Sequence, residues 1–313
     1  MAENKEKFND LGLGTKNPGG TKRSLNKDGS FNIKKINVPF SERMNFYHLL
    51  VSMSWTKFFI FILSGYFAAN LAFAGIYMGI GLEHLTGIDG KTYFDKFLEA
   101  FFFSSQTLTT LGYGRVAPVG PEASSVAAIE SMLGLLSFAL ATGLLYGRFS
   151  KPVTKIKYST CSVIAPYRDI NGFMFRVINP RDNQLIEVEV TLTLSFRRKD
   201  SDIRDFFLLE LERTKVVFLP STWTIVHPIS SSSPLYGLTE KEVLDKDAEF
   251  IVMMKAFDEI FSQTVYSRSS YKASEIRWGQ KFIYPVKQDK DGTIVDVGKI
   301  DETEIADLNK ISA

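Results

Sequence analysis

The segment Thr110-Leu111-Gly112-Tyr113-Gly114 offers chemistry without a reactive side chain. The carbonyl oxygens of residues 110 to 113, with the Thr110 hydroxyl, form a row of hard oxygen ligands that could replace the water shell of a dehydrated cation. Such a row requires successive carbonyls to aim at one axis. Gly112 and Gly114 suit this because glycine adopts dihedrals that a Cβ disfavours. The Tyr113 ring would then face outward and brace the loop. Backbone this irregular is tolerated at membrane depth only where it lines a water-filled path, so the flanks decide between an ion filter and an ordinary soluble turn.

Those flanks are apolar. No charged residue occurs from Phe58 to Leu82, a run of twenty-five residues that as a helix would be about 37 Å long, enough to cross a bilayer. A second apolar run, Ala123 to Gly147, is interrupted only by Glu130. Between them FDKFLEAFFFSSQTLT, residues 94 to 109, is too short and polar to span but long enough to enter and return. The order span, half-span, Gly-Tyr-Gly, span is that of a potassium selectivity filter with its pore helix.

Composition narrows the rest. The chain has 313 residues, 45% hydrophobic, with a formal net charge of +2, and no interleaving of basic and aromatic residues that would suit nucleic acid. Cys161 stands alone, which excludes an intramolecular disulfide and fits a small buried residue in a reducing compartment. His48, His84 and His227 are too scattered for metal-ligand spacing. An enzyme would need a converging acid, base or nucleophile, and the acids of the C-terminal half are scattered along strands and loops. A membrane-anchored binding module with a silent pore is the other alternative.

Basic residues set the expected topology. Lys22, Arg23, Lys27, Lys34, Lys35, Arg43 and Lys57 precede the first span and Arg148, Lys151, Lys155 and Lys157 follow the second, whereas the loop between carries Glu83, Asp89 and Asp95. Both termini are therefore expected inside. No signal-peptide pattern precedes the first span, so the N-terminus is expected to be retained. Phe40, Met44, Tyr47, Leu50 and Val51 fall on an i, i+3/i+4 stripe, which predicts a helix lying along the inner membrane surface over 40–55, or a core helix of the cytoplasmic part.

After Pro152 the pattern turns to β. Phe173 to Ile178, Leu185 to Phe196, Val216 to Val226 and Glu249 to Ala256 are rich in β-branched and aromatic residues and are separated by turn-rich pieces. In LIEVEVTLTLSF, alternation places Ile186, Val188, Val190, Leu192 and Leu194 on one face. A β-sandwich of roughly 130 residues is expected.

With these residues in place, the chain resembles the inward-rectifier potassium channel family, and its bacterial branch more than its animal one. KDGSFNI at 27 to 33, Gly143, RFSKP at 148 to 152, FRVINPR at 175 to 181, HPISSSSPLYGLT at 227 to 239 and SRSSYKASEIRWGQKF at 267 to 282 carry the resemblance. It implies a two-transmembrane-helix potassium-channel pore with a pore helix, followed by a cytoplasmic immunoglobulin-like β-sandwich. The implied division is an N-terminal cytoplasmic segment over 1–39, a slide helix over 40–55, a pore domain over 56–152 and the sandwich over 153–313. Within the pore domain it implies an outer helix over 56–82, a pore helix over 94–109, a filter over 110–114 and an inner helix over 121–149. It further implies a homotetramer in a bacterial inner membrane, potassium ions on the carbonyls of Thr110, Leu111, Gly112 and Tyr113, and anionic lipid as a partner. No organic cofactor and no nucleic acid are expected. In the family, the segment matching KDGSFNI joins the cytoplasmic sheet of a neighbour.

Roles follow residue by residue. Gln106 and Glu130 would support the filter; Gln106 replaces the glutamate of animal members, and Arg115, directly after Gly114, is not at the offset of their arginine partner. Helical phase turns Glu130 away from the cavity, favouring a structural hydrogen bond over a cavity charge. Ser131, Leu135, Phe138, Thr142 and Tyr146 share the face expected to line the cavity, with Tyr146 as a gate; the alternative for Tyr146 is an interfacial belt residue facing lipid. Lys57, Arg148 and Lys151 would meet lipid headgroups, with Val153 and Thr154 replacing part of the family's basic run. A second constriction is expected around Ala256, Phe257 and Ile260. Phe138, Ser230 to Ser232 and Lys255 stand where strong rectifiers place acids, so polyamine rectification is expected to be weak.

Overall fold

A computed structural model describes residues 23–33, 36–37, 39, 45–150, 155–199, 203–219, 221–290 and 292–310. The chain divides into two compact units, one over residues 36–151 and one formed by residues 1–35 with 152–313.

The first unit is helical. A short helix α1, Phe46–Ser52, is capped by Asn45, whose side chain accepts from the His48 amide. Met53 is extended, and Ser54 caps the next helix, α2, Trp55–Ile80. The helix expected over 40–55 is thus confined, among the described residues, to seven residues by two capping side chains; Phe40 and Met44 lie outside the described residues. Gly81, at φ 115°, stops α2 two residues short of the expected position 82. A single 3-10 turn, Leu82–His84, leads to the two-residue strand β1, Leu85–Thr86. Helix α3, Tyr93–Leu108, starts one residue earlier than expected because Thr92 and Asp95 form a reciprocal capping box. The strand β2, Ala117–Pro118, pairs antiparallel with β1, and α4, Gly120–Phe149, follows with Pro121 in its first turn. Both α2 and α4 are long and apolar enough to cross a membrane, and α3 packs against each of them.

The second unit is a two-sheet β-sandwich. Its strands in chain order are β3 (Lys157–Tyr158), β4 (Ser162–Tyr167), β5 (Ile170–Ile178), β6 (Leu185–Arg197), β7 (Arg204–Leu209), β8 (Lys215–Phe218), β9 (Thr222–Pro228), β10 (Glu249–Asp258), β11 (Gln263–Lys272) and β12 (Ile276–Trp278). One sheet runs β11-β10-β6-β7, with β8 also on β6; the other runs β12-β4-β5-β3, with β9 also on β5. The run expected over 216–226 is therefore two strands in different sheets, one ending at Phe218 and the next beginning at Thr222.

Alternating residues of β5, β6 and β10 fill the space between the sheets, and Phe173 stacks on Phe250 with centroids 3.9 Å apart. One face assignment in β6 is corrected. Glu187 takes φ 50°, and the register against β10 slips between Lys255 and Phe257. This bulge brings Leu185 into the core and leaves Ile186 half-buried, out of line with Val188, Val190, Leu192 and Leu194.

Candidate functional site

The backbone of residues 110 to 114 alternates. Thr110, Gly112 and Gly114 have φ of 58°, 53° and 80°, while Leu111 and Tyr113 are not in the positive-φ region. Alternation of positive and negative φ turns successive peptide planes so that carbonyls can share one side. The amides point back into the protein: Leu111 and Gly112 both donate to the Gln106 carbonyl, at 2.8 and 3.3 Å, and Thr110 donates to the Thr107 carbonyl at 3.0 Å. The end of α3 thus satisfies the amides of its own continuation, leaving the carbonyls of 110 to 113 for another partner. Gln106 participates here through its main chain.

Behind this loop lies a buried polar chain. Glu130 of α4 is fully buried, accepts the Tyr77 hydroxyl of α2 at 2.7 Å and accepts the Ser104 hydroxyl of α3. The Ser104 hydroxyl is also 3.1 Å from the Asn70 side-chain carbonyl, and Asn70 donates to the Tyr66 carbonyl at 2.7 Å. One carboxylate therefore links all three long helices at the level of the pore helix. Close approach is permitted by Gly134, where a Cβ would lie 1.9 Å from the Leu108 carbonyl oxygen. On the other side of the loop, Arg115 pairs with Glu99 of α3 at 2.7 Å.

Along α4, the buried stripe is Ala123, Glu130, Gly134 and Arg148. At about 100° per residue, Ser131, Leu135, Phe138, Thr142 and Tyr146 lie roughly 80–160° round from Glu130, on an uncovered face. Ser131 donates to the Thr107 carbonyl at 3.5 Å, whereas Leu135, Phe138, Thr142 and Tyr146 are exposed.

Arg148 departs from its expected role. It is 9% exposed, donates to the Leu50 carbonyl at 2.5 Å and to the Met53 carbonyl at 2.7 Å, and lies 4.5 Å from the Trp55 and Phe58 ring centroids. Its charge sits on the carbonyl end of α1, so it is a strut between α1, α2 and α4 and not a headgroup contact. Lys57 is exposed in the first turn of α2, and Lys151 lies outside the described residues.

In the sandwich unit, Ala256 is corrected as well: its side chain is 2% exposed and packs in the core between the sheets, so it lines no surface. Phe257 is half-buried and Ile260 exposed, with the turn between them held by Asp258, which accepts from the Ile260 and Phe261 amides. The segment from Arg23 to Phe31 folds as a hairpin on this chain's own sandwich. The buried Glu249 carboxylate accepts the Ser24 and Leu25 amides, and Leu25 packs on Phe206 and Ile251. Arg23 and Lys27 both pair with Glu275. Burial pushes the Glu275 carboxyl upward, but the Lys272 amide and the two cations outweigh it and hold it below the usual range. His227 is buried; its Nδ1 lies 2.6 Å from the Glu210 carbonyl and its Nε2 2.8 Å from the Ser233 hydroxyl.

The sequence pattern does not single out Tyr77, Ser104, Asn70, Glu99 or Gly134. Polar residues inside apolar runs were the available signal for Asn70 and Ser104. Glu99 lies seven residues before Gln106, two turns along the same helix face.

The sequence model of the family described as "Inward rectifier potassium channel C-terminal domain" matches residues 156–313, and that described as "Ion channel" matches residues 58–151. The inward rectifier potassium channel Kirbac3.1 of Paramagnetospirillum magnetotacticum is 34% identical over 92% of this chain and 98% of its own. The G protein-activated inward rectifier potassium channel 2 of Rattus norvegicus, and that of Mus musculus, are each 27% identical over 93% of this chain and 74% of theirs. With two membrane-capable helices followed by a β-rich domain and matches over both units, the chain is an ion channel and not an enzyme, and it belongs to the inward rectifier potassium channel family.

Proposed function

We propose that four copies of this chain form a pore that passes potassium passively, with the carbonyls of Thr110, Leu111, Gly112 and Tyr113 and the Thr110 hydroxyl as successive ion sites. The observation that carries this reading is the alternating backbone of 110 to 114 with its amides tied to the carbonyls of Gln106 and Thr107. Ions shed water onto oxygen dipoles held in place beforehand and advance because several sites of similar affinity lie in series. The Glu130 chain, together with Gln106, holds that loop. Leu135, Phe138, Thr142 and Tyr146 line the path below, and the Tyr146 rings of four copies form an apolar constriction that opens and closes by wetting. Both termini lie in the cytoplasm of a bacterium, and Phe257 and Ile260 stand at a second narrowing.

Lipid headgroups act at Lys57 and Lys151, near the inner ends of the two spans, where anionic lipid contributes about 1 kcal/mol per nearby base. Rectification by polyamines is weak. Phe138 offers no charge to a polycation in the cavity, and Lys255 opposes one, leaving the exposed Glu259 as a nearby acid. Potassium flux from liposomes, with and without anionic lipid and internal spermine, tests the reading: flux that follows lipid composition and shows shallow spermine block is expected. Steep voltage-dependent block abolished by Glu130→Gln would place Glu130 in the cavity and overturn it.

A further inference from the structure

Arg115 places a full positive charge one residue beyond the last filter glycine, which on the potassium-pore reading is the outer mouth. Its side chain is 67% exposed. An unpaired arginine repeated around a fourfold axis would lower the local potassium concentration, since exposed charges act over about 8 Å at physiological ionic strength. Among the described residues, its ion-pair partner is Glu99. Glu99 Oε1 accepts from Arg115 Nη2 at 2.7 Å, and Oε2 accepts the Asp89 and Gly90 amides, each at 3.0 Å. The Glu99 side chain is only 18% exposed, so it is fixed while its partner reaches out. The Arg115 main chain is gripped as well. A Cβ on Gly87 would fall 1.8 Å from its carbonyl oxygen, and the next residues pair as Thr86 with Ala117 and Leu85 with Pro118.

We infer that Glu99 is a positioning residue for conduction: it draws the Arg115 guanidinium aside from the outer mouth and neutralises it, fixing how many cations gather there. The pore helix carries the neutral Gln106 two turns further on, so this acid is placed at the pore helix's outer part and not beside the filter's middle. As stability, an ion pair this exposed is worth little. Its effect is on the field at the mouth. The inference rests on the potassium-pore reading above.

Single-channel conductance in planar bilayers, at low and at high symmetrical potassium, separates the possibilities. Glu99→Gln should lower conductance about two- to threefold at low salt and leave it near the parent's at high salt, where screening is strong. Adding Arg115→Gln to it should restore the low-salt value, because the stranded charge is gone. Glu99→Gln channels equal to the parent at low salt, or a double variant as slow as Glu99→Gln, would overturn the inference. If Glu99→Gln does not assemble, the double variant decides: assembly with near-parental conductance supports the pairing, and failure shows that Glu99 serves the Asp89–Gly90 loop alone. A parent that passes no potassium at all would instead sink the potassium-pore reading, not the pairing.

Discussion

Tyr77 donates its hydroxyl to Glu130 at 2.7 Å, joining the first and second spans inside the layer where neither meets water. Removing the carboxylate strands the Tyr77 hydroxyl and frees Ser104 from one of its two acceptors. A buried group left without its partner costs about 1–3 kcal/mol. Glu130→Ala is therefore expected to lower the temperature at which the assembled channel dissociates in detergent, and Glu130→Gln, which keeps an acceptor, to lower it less. Equal dissociation temperatures for parent and Glu130→Ala would deny the carboxylate this role.

Gly134 sets how closely the inner span meets the pore helix. Gly134→Ala would push against the Leu108 carbonyl, two residues from the carbonyl that holds the Leu111 and Gly112 amides. Potassium flux should fall by about tenfold or more, on the scale of a kilocalorie or two of distortion. A Cβ at Gly143 meets nothing within 4 Å in this chain, so Gly143→Ala serves as the control. Parental flux from Gly134→Ala would show that the contact is slack.

Local sequence carried what depends on local physics. Two spans, a half-span and a β-rich tail could be read from hydropathy and alternation, because burial in lipid and in a sandwich impose different periods. What escaped was set by distant partners. Arg148 reads as an inner-face base, yet its position is fixed by the Leu50 and Met53 carbonyls, which no side-chain pattern announces. Ile186 reads as a core residue until Glu187 inserts a bulge that hands its place to Leu185. Arg115 could not be paired from spacing alone because Glu99 lies sixteen residues away, across the loop.

Tyr146 is 74% exposed on the face of α4 that turns from the buried stripe. If that face borders the pore, Tyr146→Ala widens an apolar constriction and raises flux several-fold in liposomes. An unchanged rate from intact tetramers would mean that the ring faces lipid.

His227 gives the sandwich a dependence on acid. Burial holds its imidazole below the ordinary value of 6.5, with the Glu210 carbonyl pulling partly the other way. The folded chain then binds this proton more weakly than the unfolded one. Its contribution to stability is complete above pH 6.5 and shrinks as the pH falls below it. Denaturant unfolding of the full chain between pH 7.5 and pH 5, ranges chosen about one unit or more around that value, should show a decline that His227→Gln flattens. Identical pH slopes for parent and variant would assign the decline to other groups.

On the proposed reading, the carbonyls of residues 110 to 113 choose potassium. Reversal potentials across a planar bilayer with potassium on one side and sodium on the other measure that choice directly. A potential close to the potassium limit is expected, with rubidium replacing potassium at little loss and sodium carrying almost no current. A reversal potential near zero, with sodium and potassium equally permeant, would contradict it.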